Sequence, residues 1–79
     1  MSKYDPLFNW LKEQSANRIP ATFGQIASIL GFDLPKSSTT LPQWWANHPG
    51  HTQAAACLDA GFRTENLDLI AETVVFVRS

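Results

Sequence analysis

Cys57, His48 and His51 are the residues whose types and spacing come nearest to catalytic chemistry. A thiol beside an imidazole can form a nucleophile–base pair, but the thiolate needs a neighbouring cation or base to exist at neutral pH. Cys57 lies instead in the apolar stretch 54–58 with no flanking cation, where a cysteine is expected to be a small buried hydrophobe. His48 and His51 stand three positions apart, a spacing that suits a metal only on one helical turn, and Pro49-Gly50 breaks that turn. Neither Cys57 nor Asp59 completes a recognised ligand set, so one histidine is expected to cap the next helix and the other to face solvent. Asp59, Glu65, Asp68 and Glu72 fall at a helix end, in strands and at a turn, where acids are ordinarily solvated. The four glycines form no phosphate-cradling loop. No enzyme, metal or cofactor is expected.

Trp44-Trp45, followed by Asn47, is the most unusual stretch. Adjacent helical positions point about 100° apart, so one indole is expected in the core and the other at a boundary. A partly exposed Trp45 beside Asn47, His51 and Gln53 would suit base edges, phosphates or a protein partner.

The elements that position these residues can be read locally. A helix is expected over 4–14, with Asp5 as cap, Pro6 in its first turn, and Leu7, Phe8, Trp10 and Leu11 on one face. Residues 18–21 contain Pro20 and can form a brief edge strand at most. Thr22 and Gln25 make a capping box for a helix presenting Phe23, Ile26, Ile29 and Leu30, and Gly31 suits its left-handed end. A third helix is expected to begin among residues 37–40, take Pro42 into its first turn and continue through Ala46. A fourth is expected over 51–60, stopped by Gly61. Residues 62–69 and 73–78 read as a C-terminal antiparallel hairpin turning at Ile70-Ala71-Glu72. Leu7, Trp10, Leu11, Phe23, Ile26, Leu30, Leu58, Phe62 and Phe76 are the expected core.

Helices followed by a terminal hairpin make an α+β domain. With one helix removed, the order is that of a winged helix: a short strand before a helix-turn-helix and a two-stranded wing after it. The whole chain, 1–79, is expected to be one winged-helix-like domain of three to four helices plus a C-terminal β-hairpin. Its 79 residues suit a single core, and at 44% hydrophobic and 16% charged it is globular rather than disordered. A single cysteine makes no internal disulfide, no apolar run approaches the roughly 20 residues of a membrane span, and MSKYDPLFNW has neither an apolar h-region nor a small-residue cleavage site, so no secretory signal is expected there. A cytoplasmic location, with no membrane partner, is the expectation. Six Lys and Arg against seven Asp and Glu give a net charge of −1, a poor balance for a domain that lives on phosphate contacts.

The segments RIPATFGQIASILGFDLP, WWANHPGHTQAAACLDAGF and VVFVRS resemble a little-characterised family of small bacterial domains. That family shows a Tyr-x-Pro-Leu start, matched by Tyr4, Pro6 and Leu7, and a Thr-Phe-x-x-Ile helix, matched by Thr22, Phe23 and Ile26. Its Leu-Gly-x-x-Leu-Pro turn falls on Leu30, Gly31, Leu34 and Pro35, its Trp-Trp-x-Asn segment on Trp44, Trp45 and Asn47, and its His-x-Gln helix on His51 and Gln53. An Ala-Gly-aromatic step (Ala60, Gly61, Phe62) and a closing strand (Val74 or Val75, Phe76, Arg78) complete the match. Family members often carry a basic residue soon after the Leu-Pro turn, whereas here Lys36 is followed by Ser37, Ser38, Thr39 and Thr40. The run ATFGQIASILG, with Asn47-His48-Pro49, is also similar to the helix-turn-helix entry of alkylguanine-DNA alkyltransferases. Their Pro-Cys-His-Arg motif is replaced by Ala56-Cys57-Leu58-Asp59, so the resemblance implies a DNA-binding scaffold without the alkyl-acceptor chemistry.

The sequence therefore leads to a small non-enzymatic nucleic-acid-binding domain, with duplex DNA as the expected partner. The second and third helices would form the helix-turn-helix, placing Lys36, Ser37, Ser38, Thr39 and Gln43 near phosphates or base edges. Asn47, His51, Gln53 and Arg63 would support them, and Trp45, if exposed, would wedge or stack. The alternative is a protein-interaction module, an adaptor or inhibitor using the Trp44-Trp45 surface.

Overall fold

Thr22 ends a strand and starts a helix in a single residue. Its side chain accepts from the Gln25 amide at 3.0 Å, and Gln25 Oε1 accepts from the Thr22 amide at 3.0 Å, so two orphan helix-end donors are satisfied reciprocally. The computed structural model describes residues 3–47 and 52–79. In chain order these form α1 (Asp5–Lys12), β1 (Arg18–Thr22), α2 (Phe23–Leu30), α3 (Ser37–Thr40), a 3-10 turn (Pro42–Trp45), α4 (Thr52–Asp59), β2 (Phe62–Asp68) and β3 (Thr73–Arg78). The result is a small α+β domain with one three-stranded antiparallel sheet in the order β1-β3-β2. Among the described residues no helix is long and apolar enough to cross a membrane.

The capping box of α2 and its left-handed end at Gly31 (φ 82°) are as the sequence predicts. Gly61 likewise takes φ 89°, turning the chain from α4 into β2. In α1, Tyr4 rather than Asp5 occupies the cap position, without a side-chain cap bond, and the helix ends at Lys12. Pro20 is accommodated because β1 is an edge strand paired only with β3.

The third helix differs from expectation. Leu41, held extended (φ −120°, ψ 111°) before Pro42, splits it into the single turn α3 and the 3-10 turn. A residue preceding proline is driven out of the helical region, and that local rule outweighs proline's tolerance in a first helical turn.

Alternation along the strands defines the two sheet faces. Val74, Phe76 and Phe62 have no solvent exposure and pack with Leu7, Leu11, Ile26 and Cys57 in one core. Trp10 meets Phe76 edge-on at 6.5 Å between centroids but is only half-buried, as is Leu58, although the sequence predicts both in the core. The other seven expected core residues are buried. Arg78 closes the sheet onto the end of α1. Its guanidinium donates to the Gln14 and Ala16 carbonyls and to Asn17 Oδ1, and lies 4.6 Å from the centre of the Phe62 ring.

Candidate nucleic-acid interface

Ser38 organises the segment between α2 and α4. It is fully buried, its hydroxyl donates to the Pro35 carbonyl at 2.7 Å, and its own carbonyl accepts the Trp45 indole N–H at 2.8 Å. A buried indole needs an acceptor, and the turn at 35–38 supplies one. Trp45 is 3% exposed and stacks on Phe23 with centroids 4.7 Å apart and planes 23° from parallel. It therefore presents no face on which a base could stack. Trp44, half-buried, meets Trp45 edge-on at 4.7 Å and Tyr4 at 6.3 Å.

The other sequence candidates divide into those facing solvent and those held by the fold. Lys36 and Gln43 are exposed, and Ser37 and Thr39 are half-buried. The Lys36 carbonyl collects the Thr39 amide and the hydroxyls of Thr39 (2.9 Å) and Thr40 (3.3 Å), so the backbone under Lys36 is fixed while its ammonium is exposed. Gln53 is buried, donating from Nε2 to the Trp44 carbonyl, with its Oε1 3.9 Å from Cys57 Sγ. Asn47 is tied to Thr64 of β2 through both ends of its amide. Arg63 is paired with Glu65, at 2.9 Å through Nε and 2.6 Å through its terminal nitrogen. His48 and His51 lie outside the described residues.

The structure thus gathers Lys36, Ser37, Thr39 and Gln43 on one short segment, and directs Ser38, Trp45, Gln53, Asn47 and Arg63 to internal partners. Thr64 carries no signal in the sequence, yet it takes the Asn47 amide and donates its hydroxyl to the Trp45 carbonyl at 2.6 Å. Its partners are 17 and 19 residues away, beyond any local pattern. Burial pushes the Cys57 thiol up to about 12, and among the described residues no cluster of three His, Cys, Asp or Glu could hold a metal ion.

One helical layer on one face of a three-stranded antiparallel sheet, with its polar candidates on the segment linking α2 to α4, defines the class: a small two-layer α+β domain. The chain belongs to a family described as a domain of unknown function (DUF7662), which matches residues 4–79. No curated protein and no solved structure matches it.

Proposed function

We propose that this chain is a small, non-enzymatic, winged-helix-like domain that docks on duplex DNA mainly through phosphates. The observation that carries the reading is topological: a strand precedes the helical segment, two antiparallel strands follow it, and the sheet order is β1-β3-β2. In that architecture the helix immediately before the paired strands, here α4, occupies the recognition position. Gln53, Ala54, Ala56 and Cys57 of α4 are all buried, which leaves few side chains for base edges. The exposed Lys36 and Gln43, with Ser37 and Thr39, supply backbone-type contacts instead. Asp68 and Glu72, exposed around the β2–β3 connection, would repel a phosphate chain, so the contact is small. Burial of Cys57 supports the non-enzymatic part of the reading.

The test is duplex binding by mobility shift or anisotropy over a salt series. Affinity should fall with added salt at a slope corresponding to roughly two to four phosphate contacts. Lys36→Ala should flatten that slope and weaken all sequences alike. Absence of binding at low ionic strength and high micromolar protein would end this reading for the isolated domain. A protein-interaction module built on Trp44-Trp45 draws less support, because Trp45 is buried.

A further inference from the structure

We propose that the sheet face turned away from the helices is a self-association surface, on which a second copy of this chain docks face to face. Val75 and Val77 of β3 point away from Val74 and Phe76, are half-buried, and stand outside the core cluster. Cross-strand pairing sets them in two rows, Arg18–Val77–Arg63 and Pro20–Val75–Glu65. Arg18 and Pro20 are exposed, and Arg63 and Glu65 keep 41% and 37% of their side chains open although they pair with each other.

A partner has to come onto this face because both edges of the sheet are obstructed. On β1, Pro20 has no N–H to offer and the Thr22 amide is engaged by Gln25. On β2, the Asn47 amide occupies the Thr64 N–H and carbonyl. Strand addition at either edge would have to displace these devices.

Charge complementarity selects a second copy as the occupant. A two-fold axis lying in the face, across the strands and midway between the two rows, exchanges the rows between protomers. Val77 of each copy then lies over Val75 of the other, and Arg63 of each over Glu65 of the other. Four valines form the centre and two Arg63–Glu65 pairs merge into an alternating four-charge ring. Such an isologous contact satisfies the symmetry of a dimer. Three strands spaced about 4.8 Å apart, with about 3.3 Å per residue, give a small face. The total buried area therefore falls below about 1,200 Å², which predicts a weak, reversible dimer.

Sedimentation equilibrium on the full chain, from about 10 to about 500 µM at low salt, tests this. A monomer–dimer equilibrium weakened by salt is expected. Arg63→Glu and Glu65→Arg, which put like charges in register, should each weaken it about tenfold or more, and the double exchange should restore it. Val75→Asp should abolish it while circular dichroism shows the fold retained; should that variant not fold, the charge exchange decides alone. A monomer throughout the range, including one that binds some other protein on this face, overturns the proposal. So does a dimer indifferent to both single charge reversals.

Discussion

Asn47 meets Thr64 as a neighbouring strand would. Its Oδ1 accepts the Thr64 amide at 2.8 Å and its Nδ2 donates to the Thr64 carbonyl at 3.0 Å. One side-chain amide thus satisfies both backbone groups of an edge residue, closing the outer side of β2 where it leaves the helical layer. The Thr64 hydroxyl, donating to the Trp45 carbonyl, holds the chain between the 3-10 turn and Asn47 against the same strand.

Asn47→Ala should remove both bonds and destabilise the domain by about 1–3 kcal/mol, at about 0.5–1.5 kcal/mol per hydrogen bond. Thermal denaturation gives the loss, and amide exchange at Thr64 should accelerate more than at Phe76. Asn47→Asp keeps the acceptor but loses the donor and sets a carboxylate against the Thr64 carbonyl, so it should be no better than alanine. Wild-type stability in the alanine variant would show the pairing to be incidental.

The capping box makes a second, local prediction. Thr22→Ala should cost about 1 kcal/mol, because the Gln25 amide loses its acceptor at the start of α2. Gln25→Ala should cost less in helix stability but free the Thr22 amide on the β1 edge. Increased strand-mediated association of Gln25→Ala, read by light scattering, is the expected signature.

What the sequence discloses follows the distance over which each cause acts. Thr22 with Gln25, Gly31 and Pro20 act within a few residues, and each is found in its expected role. The third helix is misjudged because two local rules compete at Leu41-Pro42 and the restriction on the residue before proline prevails. The candidate interface is least legible. Ser38, Gln53 and Asn47 are polar and read as surface, but buried Trp45 draws on the Ser38 carbonyl, the Trp44 carbonyl draws on Gln53, and an open strand edge draws on Asn47. Arg78 shows the same limit: its contacts with Gln14, Ala16 and Asn17 span more than 60 residues of sequence.

Phe76 lies on the central strand with no exposed surface, touching the core from the middle of the sheet. Phe76→Ala should cost about 3–5 kcal/mol, much of the total stability of a domain this small. Ile70, 99% exposed at the β2–β3 connection, is the internal control: Ile70→Ser should change stability by less than about 0.5 kcal/mol. Similar melting temperatures for the two variants would contradict the packing described.

The last prediction concerns pH. Cys57 is buried in α4, and desolvation raises its thiol from 9.0 to about 12. The folded chain therefore keeps this proton at pH values where the unfolded chain gives it up. Stability from this group is fully present below pH 9 and should decline as pH rises from about 9 towards about 12, since the unfolded state then binds fewer protons than the native one. Chemical denaturation at pH 8 and pH 10.5 should show a smaller loss in Cys57→Ala than in the parent chain, although alanine starts lower because it leaves a small void. Labelling by a thiol reagent at neutral pH should proceed only as fast as the protein opens, and should slow when stabilising solutes are added. Rapid labelling of the native protein, independent of such solutes, would show an accessible thiolate and refute the buried assignment.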